Sequence, residues 1–576
     1  LITRSRWLTA KEEVVSRNGM VTASTPEAAE AGMKILLDGG NAVDAGVAVG
    51  FCNTVLEPYL ASLGGLGFML IHSAEEDRTV ALDFNARAPK AATPDMFRIN
   101  GEATAGGTKI FEVEGDENNV GGKSVTVPAT CAGLCKAHEV YGSLPLKEIL
   151  AQAIHLAMEG FSLGWDQSLV LSIMMPSIRR ANEIAEIWYP SGCPLPPQSK
   201  VVQPSLGRLL KLISEKGPSA LYEGEVARAI EDEVIRSGGV LRREDLADYE
   251  PVFYDPLEFG FREYMVAMVP TPSGGITVLE TLNILENFDL SSMGHNSVEC
   301  LHVLIEASRH AFADRYRWLG DWEQAEVPLQ GLLSKAYAKE IADKIDPSKT
   351  CLADGEKEPW IRYLDDSIHD PWKYDSGARP KAIPEPATSN PSGETTHFNV
   401  VDRDRNVVSC THTPGFSPGI VPPGTGLYLS AGMGWFVPRP GHPNSIAGWK
   451  RPLMNMAPLL VLRDGEPVVS EGAPGSRRII NRNTQVVLNV MEFGMGMQEA
   501  VEAPTVDASG REALIDSRIS HSTLHKLRSM GHTVRAVEEA PGMSVFARPS
   551  GIIVDREHGV LRSGVDAFRR SQAIGY

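Results

Sequence analysis

A polar, proline-rich stretch runs from Glu356 to Glu394 and carries Pro359, Pro371, Pro380, Pro384, Pro386 and Pro391. It stops abruptly at a strand-like run that opens with Thr395-Thr396-His397-Phe398 and continues to Asp402. Threonine inside a chain is a poor nucleophile. At a new N-terminus its own α-amine, which titrates near pH ~8, can serve as the base. A threonine that opens a buried strand just behind a flexible linker therefore suits self-cleavage at Glu394–Thr395. Taken alone, Glu394 to Phe398 also fits an ordinary linker–strand junction, so the rest of the chain has to decide.

The texture differs on the two sides of that junction. Thr25-Pro26 is an N-cap followed by a first-turn proline, and the helical pattern behind it runs to Phe51 with a break at Gly39-Gly40-Asn41. Phe68 to His72 reads as a short buried strand, led in by Gly64, Gly65 and Gly67. Residues 126 to 350 read mostly as helix, with apolar stripes in Lys147–Phe161, Glu280–Glu286, Val298–Trp318 and Leu333–Ile345, and with a strand at Tyr264–Val269. Beyond Thr395 hairpins dominate. Thr395–Asp402 and Val407–Thr413 flank Arg403–Asn406, while Leu459–Leu462 and Pro467–Val469 flank the turn pair Asp464-Gly465. Ile479–Met491 returns to helix. Strands and helices segregated in this way predict an α+β fold of antiparallel sheets covered by helices, rather than a parallel βαβ fold.

The hairpins bring chemistry together. Folding the first about Asp404-Arg405 sets Thr395 opposite Pro414, and a one-residue shift sets it opposite Thr413. Arg405 is a poor residue for a tight primed turn, so both registers stay open. A Thr413 hydroxyl beside Thr395 would orient the attacking oxygen, although threonines are common in strands anyway. After the second hairpin, Glu471-Gly-Ala-Pro-Gly475-Ser476 runs directly into a helix, so Gly475 and Ser476 would offer backbone N–H groups to an oxyanion. One such donor is worth about 3 kcal/mol of barrier. A hairpin exit with an N-cap serine needs the same geometry. Pro438 to Ile446 is a stiff loop that either covers a pocket or makes a rigid connection.

Composition narrows the partners. The chain of 576 residues has a net charge of −18, which argues against nucleic acid and anionic membranes but leaves small anionic substrates open. Its seven cysteines are scattered, and Cys131 and Cys135 lack CxxC spacing, so neither a disulfide framework nor a zinc site is expected. A reducing, cytoplasmic location follows as the expectation. No stretch approaches the ~18 apolar residues of a membrane span. The first residues carry Arg4, Arg6, Lys11 and Arg17 without an apolar core, so no signal peptide is visible, although the chain opens on Leu1 and a leader could already be missing.

In these segments the chain resembles the γ-glutamyltransferases. The Thr395–Asp402 run is similar to the start of their small subunit. The likeness extends through Gly39-Gly-Asn-Ala-Val-Asp-Ala45, Gly64-Gly65, Gly67–Ile71, Pro272-Ser-Gly-Gly275, Asn283–Asp289, Ala311-Phe-Ala-Asp-Arg315 and Lys450-Arg-Pro-Leu453. It covers nearly the whole chain in order. The resemblance implies a four-layer αββα N-terminal nucleophile fold, made as one precursor and cut into a helix-rich large subunit (1–394) and a hairpin-rich small subunit (395–576) that remain one domain. It further implies Thr395 as nucleophile, Thr413 as its orienting partner and Gly475 and Ser476 as oxyanion donors, the second being glycine in the family. No metal or organic cofactor is implied, and pairing of two such two-subunit units is left open.

The substrate positions depart from the family pattern. The arginine that grips the glutamyl carboxylate corresponds to Asn85, the acid that pairs with the ammonium to Trp435, a serine pair to Met454-Asn455, and a glutamine to Gly432. An ammonium facing Trp435 and Met454 in a dry pocket would lose its ion pair at a cost of several kcal/mol. The run Gly432–Ile446 is instead similar to the branch containing oxamate amidohydrolase, which implies a smaller amide acid. Arg87, Arg439, Asn455 and Arg477 are the candidates to hold its carboxylate. A true γ-glutamyltransferase with substitute ligands and an uncleaved, catalytically silent binding protein are the two alternatives.

Overall fold

The computed structural model describes residues 9–105, 108–178, 180, 182–351, 369–377, 395–415, 419–510, 512–541 and 545–576. Two seven-stranded sheets dominate it. The first runs, edge to edge, through Gln572–Gly575, Met20–Ala23, Thr396–Val401, Val407–Thr413, Leu66–Ser73, Arg78–Phe84 and Val252–Tyr254. The second runs through Val15–Ser16, Val560–Val565, Ser550–Asp555, Glu466–Gly472, Leu459–Arg463, Tyr264–Met268 and Leu257–Phe261. Every pairing in both is antiparallel. Each sheet mixes strands from before and after Thr395.

The sheets stack face to face, and helices close the outer faces. Asn399 on the first sheet accepts a hydrogen bond from Ser470 Oγ (2.6 Å) and donates to the Ser550 carbonyl (3.0 Å) on the second. Its neighbour Phe398 points the other way, toward Gly46 in the helix Ala42–Leu56, because successive strand side chains alternate. The helices Pro26–Leu37, Ala42–Leu56 and Thr130–Tyr141 cover that side; Gly275–Leu285 and Arg478–Met491 cover the second sheet, with Val298–Trp318 packed behind Gly275–Leu285. The result is the αββα sandwich that the family resemblance implies, with the antiparallel sheets covered by helices that the sequence pattern predicts.

Local signals explain the element boundaries. Asn41 accepts from the N–H groups of Val43 and Asp44 while Asp44 reaches back to the Asn41 N–H, a reciprocal cap that starts the second helix. Asp464 and Gly465 both adopt positive φ (54° and 86°), as a tight hairpin turn requires. Two expectations need correction. The helix expected over Lys147–Phe161 is split at Leu150 into Leu146–Ile149 and Ala151–Glu159. The proline-rich stretch is not a linker throughout: Pro371–Tyr374 is a short 3-10 turn whose Trp372 is buried edge-on to Trp318. Glu394 and most of the remaining stretch lie outside the described residues.

Candidate active site

The register of one hairpin settles which residue meets Thr395. Thr396 pairs with His412 and Val401 with Val407, so the next position out sets Thr395 opposite Thr413, not Pro414. The five-residue connection 402–406 makes this register. Asp402 Oδ1 accepts the N–H groups of Asp404 and Asn406, both at 2.9 Å, and Arg405 takes φ 70°. Asp402 Oδ2 also accepts the Ala42 N–H at 2.9 Å, pinning the turn to a helix start.

The inter-sheet stacking then brings the glycine-rich turn to the same end. His397 lies under Gly472, where a Cβ would approach its ring to 2.4 Å, and Asn399 bonds Ser470. The contacts run in opposite senses along the two strands, so Thr395 and the turn after Gly472 lie toward the same end of the stacked pair. Gly475 follows, with φ 144° and a virtual Cβ only 2.6 Å from Ala547 Cα, so no side chain fits there. Ser476 has φ 58°, a left-handed conformation that costs a non-glycine residue roughly 1–2 kcal/mol. The helix itself begins at Arg478, with Arg477 at its N-cap, one residue later than an N-cap at Ser476 would give.

Three polar groups line the nucleophile strand. Thr413 Oγ1 accepts the Gly415 N–H at 2.9 Å. His397 Nδ1 shares a 2.8 Å hydrogen bond with Thr411 Oγ1, and burial pushes its pKa down to about 3, so the imidazole is neutral. Thr396 Oγ1 meets Ser24 Oγ at 2.8 Å on the helix-facing side. Thr395 and Thr413 are themselves buried.

The substrate candidates form a second, connected group. Asn85 is buried and donates to the Pro452 carbonyl at 2.9 Å. Trp435 is buried beside Gly415, whose virtual Cβ lies 3.2 Å from the indole Nε1. Gly432 packs on Thr126, where any side chain would clash at 2.4 Å. Met454 and Asn455 are buried, and Arg315 donates to the Met454 carbonyl and to Asn455 Oδ1, each at 2.8 Å. Asn444 links the group by donating to the Trp435 carbonyl (2.8 Å) and accepting the Leu453 N–H (3.0 Å). Sequence reasoning missed Arg315 and Asn444. The first stood inside a motif whose helical setting gave no sign of its targets.

The arginines offered as carboxylate holders each have a partner within the fold. Arg87 ion-pairs with Glu323 at 3.2 Å and donates to the Trp449 carbonyl at 2.9 Å. Arg439 stacks over Phe111 at 4.6 Å, and Arg477 donates to Ser509 Oγ at 3.0 Å. The proline loop is an internal connection. His442 donates to the Tyr316 carbonyl (2.8 Å) and accepts the Asn444 N–H (3.0 Å), with burial lowering its pKa to about 4. A cavity of about 490 Å³ opens at the far, turn end of the nucleophile hairpin, lined by Asn41, His72, Asp404 and Asn406 among others. None of the site candidates lines it.

Comparisons with known proteins identify the family and the fold. A family model described as gamma-glutamyltranspeptidase matches residues 28–576. The glutathione hydrolase proenzyme of Escherichia coli (strain K12) is 35% identical over 565 residues, covering 93% of this chain and 90% of that protein. The acylase ACY 1 proenzyme of Pseudomonas sp. (strain V22) is 34% identical over 548 residues, covering 94% and 92%. Among solved structures, cephalosporin acylase from Bacillus halodurans matches with a TM-score of 0.82 at 25% identity, over 100% of this chain and 99% of that one.

Proposed function

Because this chain belongs to the gamma-glutamyltranspeptidase family, an enzyme family of N-terminal nucleophile hydrolases, we propose that Thr395 is its nucleophile once the Glu394–Thr395 bond is cut. The observation that carries this reading is the pairing of Thr396 with His412, which leaves Thr395 against Thr413 at the end of a buried hairpin. Scission gives Thr395 a free α-amine. Its hydroxyl attacks the substrate amide carbon while the amine takes the proton. The Gly475 and Ser476 N–H groups receive the oxyanion, and Thr413 holds the attacking oxygen in line. The amine then passes its proton to the departing nitrogen, leaving an acyl ester on Thr395. Water, or an acceptor amine, releases the acyl group.

The substrate in this reading is a small amide acid of the oxamate type. Trp435 and Met454 supply no counter-charge for an ammonium, and the buried indole beside Gly415 favours a short acyl group. A second reading, γ-glutamyl transfer or glutathione hydrolysis, is favoured by the name of the E. coli relative. Purified enzyme assayed side by side on small amide acids and on γ-glutamyl nitroanilide separates them. Turnover of the nitroanilide alone overturns the amide-acid assignment. The Thr395→Ala chain is expected to run as one band on a denaturing gel where wild type gives two, and two bands from that variant would remove Thr395 from the mechanism.

A further inference from the structure

Well away from the nucleophile hairpin, the helix Val298–Trp318 carries Glu306 and His310 one turn apart, both buried. Cys351 approaches them from the end of the following segment. One ligand atom from each of the three, an oxygen, a nitrogen and a sulfur, lies within 4.8 Å of the other two. A fourth donor comes from the distant His532, whose Nδ1 is 3.8 Å from Glu306 Oε1. That nitrogen is enclosed and has no hydrogen-bond partner among the described residues, and the side chain is fully buried. The Thr350 N–H donates to the Met530 carbonyl at 2.7 Å and so fixes the two distant segments side by side.

We propose that Glu306, His310, Cys351 and His532 form a structural site for a borderline-soft divalent cation, zinc by the chemistry of its donors. A mixed thiolate, imidazole and carboxylate set in tetrahedral number is the usual company of zinc, at bond lengths of about 2.0–2.3 Å. Four donors around such an ion stand roughly 3.3–3.8 Å apart, so the Glu306, His310 and Cys351 donors, at up to 4.8 Å, need to close by about 1–1.5 Å, while His532 Nδ1 already stands 3.8 Å from Glu306 Oε1.

The surroundings support the ligands as a metal site's outer shell does. His532 Nε2 is hydrogen-bonded to His302 Nδ1 at 2.7 Å, and His302 Nε2 to the Asp346 carbonyl at 2.8 Å. His310 Nδ1 meets His369 Nε2 at 2.9 Å, and His369 Nδ1 meets Asp314 at 3.1 Å. Each relay orients its imidazole and raises the basicity of the ligating nitrogen. Thr350 Oγ1 and the Cys351 N–H hold the two Glu306 oxygens at 2.7 and 3.0 Å. The buried Arg309 guanidinium, 4.0 Å from Glu306, is a like charge that the ion's anionic ligands have to outweigh. Thiolate and carboxylate together supply two negative charges against the cation, and the Cys351 proton leaves to solvent on binding. The ion would clamp the chain just ahead of the proline-rich stretch to a core helix and to the C-terminal part.

Wild-type protein, grown with zinc and freed of any histidine tag, is expected to retain about one zinc per chain through dialysis. Cobalt in its place should show the near-ultraviolet absorption of a sulfur-to-cobalt bond. Cys351→Ser and His532→Gln should each lower the zinc content at least several-fold, and Cys351→Ser should abolish the cobalt–sulfur band. Wild type that dialyses to a negligible zinc content, or binds cobalt without that band, overturns the proposal whatever the variants do. Metal content unchanged in both variants overturns it as well. None of these readouts depends on the hydrolase reading.

Discussion

The Gly415 N–H donates to Thr413 Oγ1 at 2.9 Å, which fixes the hydroxyl oxygen against the backbone just past the end of its strand. Thr395 stands opposite it in register, and in the proposed mechanism the Thr413 hydroxyl donates to the nucleophile oxygen. Thr413→Ala should slow both precursor cleavage and amide turnover by about 10–100-fold, the value of one charge-assisted hydrogen bond of about 1.5–3 kcal/mol. Thr413→Ser should restore most of it. Kinetics of cleavage and of steady-state hydrolysis check this, and wild-type rates in the alanine variant would refute it.

Ser476 sits in a conformation made for glycine. Its φ of 58° is penalised for any residue with a Cβ. Ser476→Gly should therefore be more stable than Ser476→Ala by about 1 kcal/mol, read as a higher melting midpoint, with its N–H still in place for the oxyanion. Equal midpoints for the two variants would show that the turn relaxes at no cost.

At Trp435 the test is selectivity. Replacing the buried indole by Ala opens space beside Gly415. The ratio of kcat/KM for bulky over short acyl amides should rise about tenfold or more, as removal of more than one methylene equivalent of wall allows. An unchanged ratio would place the acyl group elsewhere.

Three buried imidazoles make stability depend on pH. Burial lowers His397 and His412 to about 3 and His442 to about 4, against about 6.5 in an unfolded chain. Below that value the unfolded chain takes up protons that the folded one refuses. Stability from these groups is complete above pH ~6.5 and is lost as pH falls toward ~4, by up to about 1.4 kcal/mol per pH unit for each imidazole. Calorimetric midpoints measured from pH ~7.5 to ~5 should fall, and His442→Asn should flatten the fall. A wild-type midpoint that holds constant across that range would contradict the burial of these rings.

Much of the architecture was legible along the chain because it is written in local patterns. The break at Gly39–Asn41, the 21-residue helix Val298–Trp318 and the Asp464-Gly465 turn each follow from neighbours within a few residues. The choice between Thr413 and Pro414 was not. It depends on a loop closed by the Asp402 side chain, itself anchored to Ala42, 360 residues away in sequence.

The order of residues by itself determined the α+β class, the hairpin that opens at Thr395 and the glycine-rich turn at Gly475, since periodicity and turn chemistry act over short distances. Only the tertiary structure decided which side chains meet. It gave Arg87 to Glu323, tied Arg315 to Asn455, and gathered Glu306, His310, Cys351 and His532 from three separate segments. The reason is physical: burial and ion pairing act between groups that are close in space, and that closeness is created only when the two sheets stack and the helices close over them.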